Sequence, residues 1–231
     1  MKETIYTIPI NEAYDVMDGC PLCRLENELE EASIDYIMGA AMMEPDIRTE
    51  TNRVGFCPNH FKKMLTVKKR LSLALMLESY LNELNDSILP KDAEKLGKKD
   101  LENLSSALST ASDGCFVCNQ LNERMQKYYR NIIYLWRTDD NFKEKTKKQE
   151  YFCPHHLAQL LNQAQKDLDK KNITQFVSDH VCAMRNKTVV LAEHVSAFCK
   201  SFDHRFSSIP LSDEQKYAVE NTISFLNGNK N

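Results

Sequence analysis

The stretch Asp18-Gly19-Cys20-Pro21-Leu22-Cys23 returns 95 residues later as Asp113-Gly114-Cys115-Phe116-Val117-Cys118. A second stretch, Phe56-Cys57-Pro58-Asn59-His60-Phe61, returns at an offset of 96 as Phe152-Cys153-Pro154-His155-His156-Leu157. Asn27-Glu28 against Asn122-Glu123, and Met64-Leu65 against Leu160-Leu161, extend the match. Chance supplies one such pair; two ordered pairs at nearly one offset read as an internal duplication. With only two copies, the expected molecule is pseudo-twofold and not a solenoid.

Each copy is a Cys-x2-Cys, then 33 or 34 residues, then a Cys-x2-His. Zn²⁺ takes Cys sulfur and His nitrogen in a tetrahedron, and three Cys with one His is a usual structural set. Pairing neighbours along the chain puts Cys20, Cys23, Cys57 and His60 in one site. The other then holds Cys115, Cys118, Cys153 and His156. His155 aligns with Asn59, so His156 is preferred as the ligand. In three of the four motifs Pro follows the first Cys, and Pro is favoured at the first position of a helix. The first ligand then sits at an N-cap and the second in the first turn. There the orphan N–H groups and the positive end of the helix dipole favour thiolate. The expectation is two zinc ions per chain, each held where two helix N-termini converge. Cys115-Phe116-Val117-Cys118 lacks the Pro. Structural zinc returns on the order of 10–16 kcal/mol at neutral pH, more than closing such loops costs. An iron–sulfur cluster with His replacing one Cys is the alternative cofactor. Metal-free thiols or disulfides are a third state. A thioredoxin-type motif would need a βαβ unit, and haem attachment a His directly after the second Cys; neither is present.

Between the motifs the apolar period is helical. Pro21 to about Met43 places Leu22, Leu25, Leu29, Ala32, Tyr36 and Ile37 near one face, with Glu opposite. A long pattern follows His60 to about Leu89, broken near Thr66. Another helix opens near Cys115, carries Tyr128, Tyr129, Tyr134 and Trp136 as a core cluster, and stops at Thr138-Asp139-Asp140-Asn141. One more helix follows Cys153. The longest candidate runs from Ile173 to about Phe206. Its seam is Val177, Val181, Met184, Thr188, Leu191, Val195, Phe198 and Phe202, expected to pack within the chain or across a homodimer. Ser212 with Gln215 resembles a capping box opening a last helix to about Asn227. Thr4–Ile10 reads as extended. The expected organisation is a first metal-binding repeat at 1–89 and a linker at 90–112 with a short helix around Asp100–Leu108. A second repeat follows at 113–206, then a C-terminal helix at 207–231.

Composition agrees with an all-α fold. The chain of 231 residues has eight Cys and six Gly, where average usage gives roughly 16 Gly. Scarce Gly with seven Pro disfavours a turn-rich β protein. A net charge of −3 gives no global attraction to nucleic acid or an anionic membrane. The longest greasy stretch, Leu71–Leu77, is too short to span a bilayer, and no signal peptide is visible. The expected compartment is the reducing cytoplasm, where Cys pairs point to metal before disulfides. Cys182 and Cys199 lack ligand partners and read as buried inert thiols. His180, His194 and His204 read as residues at the edge of the long seam. Lys62, Lys63, Lys68, Lys69, Arg70, Lys143, Lys145, Lys147 and Lys148 flank the Cys-x2-His motifs and read as solvated faces before phosphate contacts.

The whole chain resembles an uncharacterised bacterial family, carried as a domain of unknown function. The resemblance rests on the run Met1-Lys2-Glu3-Thr4-Ile5-Tyr6-Thr7-Ile8-Pro9-Ile10-Asn11-Glu12-Ala13. It also rests on Asp18–Cys23, Gly39-Ala40-Ala41-Met42-Met43-Glu44-Pro45-Asp46, Gly55–His60 and Arg70–Glu78. It implies a bacterial cytosolic protein and brings no activity, substrate or partner.

Two complete four-ligand sets leave no coordination position for a substrate. The leading expectation is a non-catalytic zinc protein that binds another macromolecule or acts as a regulatory module. The alternative is a metal- or thiol-dependent enzyme with one open site, or with His155 as an acid/base group beside the metal. A third is nucleic-acid binding through the Lys-rich segments, which the net charge disfavours.

Overall fold

The computed structural model describes residues 5–206 and 209–228. Among the described residues there are helices and no strand, so the chain is all-α. The α-helices are α1 (Thr7–Asp15), α2 (Pro21–Ile37), α3 (Pro45–Val54), α4 (Pro58–Thr66), α5 (Arg70–Glu83) and α6 (Lys98–Asp113). They continue as α7 (Phe116–Thr138), α8 (Asp140–Lys147), α9 (Pro154–Asp167), α10 (Lys170–Lys200), α11 (Asp213–Lys216) and α12 (Ala218–Asn227). Pro opens α2, α3, α4 and α9, where its missing N–H costs nothing and its fixed φ starts the helix. Asp139 caps α8, accepting from the N–H groups of Asn141 and Phe142. Ser212 and Gln215 form the expected capping box at the start of α11.

The contacts divide the chain into two compact units that do not follow linear order. The first unit is residues 1–27 with 125–231, and the second is 28–124. The boundaries fall inside α2 and inside α7.

In the second unit α3 packs on α5 and α6, and α4 on α5. Its core joins Ile34 and Ile37 of α2, and Met38 just after it, to Val54, Phe56, Met64, Leu73, Met76, Phe116, Val117 and Leu121. Each such side chain contributes roughly 1.5–3 kcal/mol on full burial. In the first unit α10 packs on α8, α9 and α12, α12 on α9, and α1 on α8. Trp136, Tyr14, Phe142, Phe152 and Phe176 are its largest buried side chains. Trp136 Nε1 donates to the buried Asp179 carboxylate at 3.0 Å, which Gln175 also supports at 2.6 Å.

Several expectations change. Thr7–Ile10 is helical and not extended, because Thr7, Ile10, Ala13 and Tyr14 form one buried helical face; Thr4 lies outside the described residues. The segment read as a linker carries α6 over 16 residues, anchored where Ala111 is buried and its carbonyl accepts from Tyr80 Oη at 2.9 Å. Thr66 does end a helix, and Lys68 takes a left-handed φ of 59° before α5 starts. The buried face of α10 is Phe176, Asp179, His180, Ala183 and Leu191, so Val177 and Val181 of the expected seam are exposed instead. Cys182 and Cys199 are exposed free thiols and not core. His180 is fully buried against Phe152 and Phe176, whereas His204 is open to solvent. Tyr128, Tyr129 and Trp136 are core, but Tyr134 is exposed.

Candidate metal centres

The structure gathers the eight predicted ligands into two groups of four, with different membership from the sequence pairing. Cys20, Cys23, Cys153 and His156 form one group, in the first unit. Cys57, His60, Cys115 and Cys118 form the other, in the second unit. The expected sets of Cys20, Cys23, Cys57 and His60, and of Cys115, Cys118, Cys153 and His156, are therefore wrong as sets. Each Cys-x2-Cys meets the Cys-x2-His that neighbouring order assigned to the other copy.

The local geometry is that of helix N-termini. Cys57 and Cys153 are the N-caps of α4 and α9, with Pro next and His two residues further on. Cys20 and Cys115 immediately precede α2 and α7, and Cys23 and Cys118 lie in the first turns. The backbone N–H of His156 donates to Cys153 Sγ at 3.5 Å, and that of Cys118 to Cys115 Sγ at 3.5 Å. Phe116 holds the place taken by Pro in the other motifs because its N–H is in use: it donates to the Gly55 carbonyl at 3.0 Å. Just before it, Gly114 lies so close to α3 that an added Cβ would meet the Val54 carbonyl at 2.4 Å. Only glycine fits there, and this close approach brings Cys115 to Cys57.

The spacing of the donor atoms suits one ion in each group. Zn–S near 2.3 Å and Zn–N near 2.0 Å place tetrahedral ligand atoms about 3.8 Å (S···S) and about 3.6 Å (S···N) apart. In the first unit Cys23 Sγ lies 3.6 Å from Cys153 Sγ. His156 Nδ1 lies 3.3 Å from Cys23 Sγ, 3.3 Å from Cys153 Sγ and 4.0 Å from Cys20 Sγ. In the second unit Cys57 Sγ lies 3.9 Å from Cys118 Sγ. His60 Nδ1 lies 3.2 Å from Cys57 Sγ, 3.1 Å from Cys115 Sγ and 3.4 Å from Cys118 Sγ. Both groups could hold a metal ion.

Both histidines present Nδ1 to the sulfurs and Nε2 to a carboxylate. Glu26 Oε2 is 3.3 Å from His156 Nε2, and Glu30 Oε1 is 2.9 Å from His60 Nε2. Neither approach is lined up as a straight N–H···O hydrogen bond. A carboxylate on the far nitrogen of a metal-binding His fixes its ring and raises its basicity. Glu30 is also held by Lys63 Nζ at 2.6 Å. The sequence reading missed both carboxylates, which it placed on the polar face of α2. The signal that could have found them is their spacing of one helical turn on α2. Comparison of the repeated motifs does not reveal it, because the positions 95 residues on in α7 are Leu121 and Met125.

Without metal, each group stores its charge as a thiolate beside an imidazolium. The side chains of Cys118 and His60 hold Cys115 down at about 3, against the opposing effect of burial. Burial works against charging His60, but contacts with Cys115 and Glu30 override it and lift the ring to about 10. His156 rises to about 11 in the same way, burial being overcome by Cys153, Cys20 and Glu26. Cys20 and Cys23, then His156, hold Cys153 far below the ordinary thiol range. Cys23 and Cys118 are pushed up by their neighbouring cysteines. His60 holds Glu30 down to about 2, with Lys63 adding to it. A metal ion would take the place of the remaining protons, which are what it must displace.

His155 is exposed and lies outside the sulfur group, though it forms a further set with Glu26 and His156. The flanking lysines are largely committed to carboxylates: Lys63 to Glu30, Lys69 to Asp35, Lys143 to Asp140, Lys145 to Asp15 and Lys147 to Glu144. Among the described residues, no helix is long and apolar enough to cross a membrane.

Residues 1–231 match the model of a family of unknown function (DUF6062). The chain belongs to this family. Within the reach of that match, the chain is also 20% identical over 215 residues to an "Uncharacterized 23.9 kDa protein in xynA 3'region" of Caldicellulosiruptor sp. (strain Rt8B.4). The alignment covers 91% of this chain and 96% of that protein. No solved structure matches the chain. Neither DUF6062 nor the Caldicellulosiruptor protein brings a known activity, so function rests on the two Cys/His groups.

Proposed function

We propose that this DUF6062 protein is a zinc protein whose two ions are structural. In this reading it serves as a non-catalytic interaction or regulatory module in the reducing cytoplasm. The observation that carries the proposal is the donor set itself. Each group supplies three sulfurs and one imidazole nitrogen at tetrahedral spacing, which fills the coordination of one ion. The same spacing argues against the iron–sulfur alternative, whose ligands are spread over several irons and not gathered about one centre. The free state of all eight cysteines suits a compartment that keeps thiols reduced. With no position left for a substrate, the product of the fold is a surface, and a macromolecular partner is the natural user of it.

The exposed His155 beside Glu26 and His156 supports the runner-up, an enzyme using a metal-adjacent acid/base group. Elemental analysis of protein purified without added metal, followed by substitution with Co²⁺, separates the readings. Structural zinc predicts two ions per chain and a cobalt spectrum that small anions leave unchanged. Iron with acid-labile sulfide would refute zinc. An anion-induced spectral shift would refute closed coordination and favour the enzyme.

A further inference from the structure

We infer that the two centres differ in kind: the second-unit site is an oxidation-responsive site at which a peroxide joins Cys57 to Cys118, while the first-unit site is sealed against that reaction. The inference rests on the metal reading above and extends it to a modification and its reagent class.

The first observation is a difference in exposure within one donor chemistry. Cys20 and Cys23 are 2% exposed, His156 1% and Cys153 0%. In the second unit Cys115 and His60 are buried, but Cys57 and Cys118 are partly open to solvent. The second observation is what closes the first-unit site. Gly228, at the end of α12, has φ +71° and is buried against the sulfurs; a Cβ there would lie 3.0 Å from Cys153 Sγ and 3.2 Å from Cys23 Sγ. A left-handed residue with no side chain is thus laid directly over two of the three thiolates. Cys57 and Cys118 keep their partial exposure to solvent.

Thiolate is the nucleophile in such chemistry, and access selects among thiolates. One of the two open sulfurs attacks a peroxide oxygen, breaking the O–O bond, and becomes a sulfenic acid while hydroxide leaves. The other then attacks that sulfur, forming the S–S bond and expelling a second hydroxide. Two thiolates and hydrogen peroxide thus give one disulfide and two hydroxides; the sulfurs lose two electrons and the peroxide gains them. Cys57 Sγ and Cys118 Sγ stand 3.9 Å apart, so they must close by about 2 Å to reach bonding distance. The ion keeps only Cys115 and His60, too few ligands to retain it. A dithiol reductant with fresh metal reverses the change.

The test uses the full chain carrying Cys182→Ser and Cys199→Ser, because these exposed thiols on α10 would consume peroxide themselves. Metal content is measured first; fewer than two ions before oxidation refutes the zinc reading and not this inference. Released zinc is then followed with a chromogenic chelator during hydrogen peroxide treatment, and disulfides are mapped by mass spectrometry. One ion per chain should leave at least about tenfold faster than the other, together with a Cys57–Cys118 disulfide. Dithiothreitol plus zinc should restore two ions. Release of both ions at one rate, or first oxidation at Cys20, Cys23 or Cys153, would overturn the inference. In the same background Gly228→Val should speed release of the second ion; an unchanged rate would refute the sealing role of Gly228.

Discussion

Replacing Glu30 by Gln tests how far the metal site extends beyond its four donors. The substitution keeps the size of the side chain and removes its charge. Glu30 faces His60 Nε2 at 2.9 Å and Lys63 at 2.6 Å, and is held down to about 2, first by His60. It is therefore ionised throughout the working range and opposes the positive charge that His60 acquires on giving electron density to a metal. Loss of such a carboxylate typically costs 10–100-fold in metal affinity, or about 1.4–2.7 kcal/mol. Lys63 is partly exposed, so water can take over its half of the interaction, and the cost falls on His60. Competition of the loaded protein against a chelator of graded strength should show two ions leaving in two phases. Glu30→Gln should move one phase by that factor and leave the other in place. Adding Glu30→Gln to Cys57→Ser should change nothing further, because the site it supports is already gone. Unchanged competition curves, or a shift in the phase that survives Cys57→Ser, would refute the role given to Glu30.

Burial pushes His180 down to about 4 from an ordinary value of 6.5, with the Phe176 carbonyl and Asp179 acting the other way. The unfolded chain then takes up this proton at higher pH than the folded one. The contribution of His180 is complete above about pH 6.5 and is lost as pH falls toward 4, about 3 kcal/mol over the whole window. Denaturant titrations of His180→Phe should show a flatter pH dependence of stability across that range; slopes equal to the wild type would count against a neutral buried ring. At Phe116 the helix-start preference for Pro should fail, because its N–H serves the Gly55 carbonyl. Phe116→Pro should be less stable than Phe116→Ala by about 1–2 kcal/mol, and equal melting of the two would remove that hydrogen bond from the account.

The helical class was legible because Gly is scarce and the apolar period is near 3.6 from Pro21 onward. Helix starts were legible wherever Pro followed a ligand or Ser212 faced Gln215. The α10 face was not, because Phe176 and Val177 begin two apolar rows that differ by one residue; only packing against α8, α9 and α12 selects the row through His180. Among the ligands, residue type and motif spacing were informative, whereas the sets were not. Two Cys-x2-Cys and two Cys-x2-His motifs offer the same donors in either pairing, and chain length discriminates weakly. Using the longer loops of the observed sets costs about 1–2 kcal/mol of closure entropy, small beside the on the order of 10–16 kcal/mol that structural zinc returns. What decides is three-dimensional: Gly114 against Val54 carries Cys115 to Cys57, and Gly228 covers Cys23 together with Cys153.

The central claim is that each Cys-x2-Cys shares its ion with the Cys-x2-His that linear order would assign elsewhere. The most direct measurement is metal stoichiometry, by mass spectrometry under non-denaturing conditions, of two double variants. Cys57→Ser with Cys118→Ser should keep one ion per chain, since both residues belong to one site. Cys20→Ser with Cys57→Ser should keep none, since each strikes a different site. One ion retained by the second variant and none by the first would contradict the account and restore the pairing of neighbours along the chain.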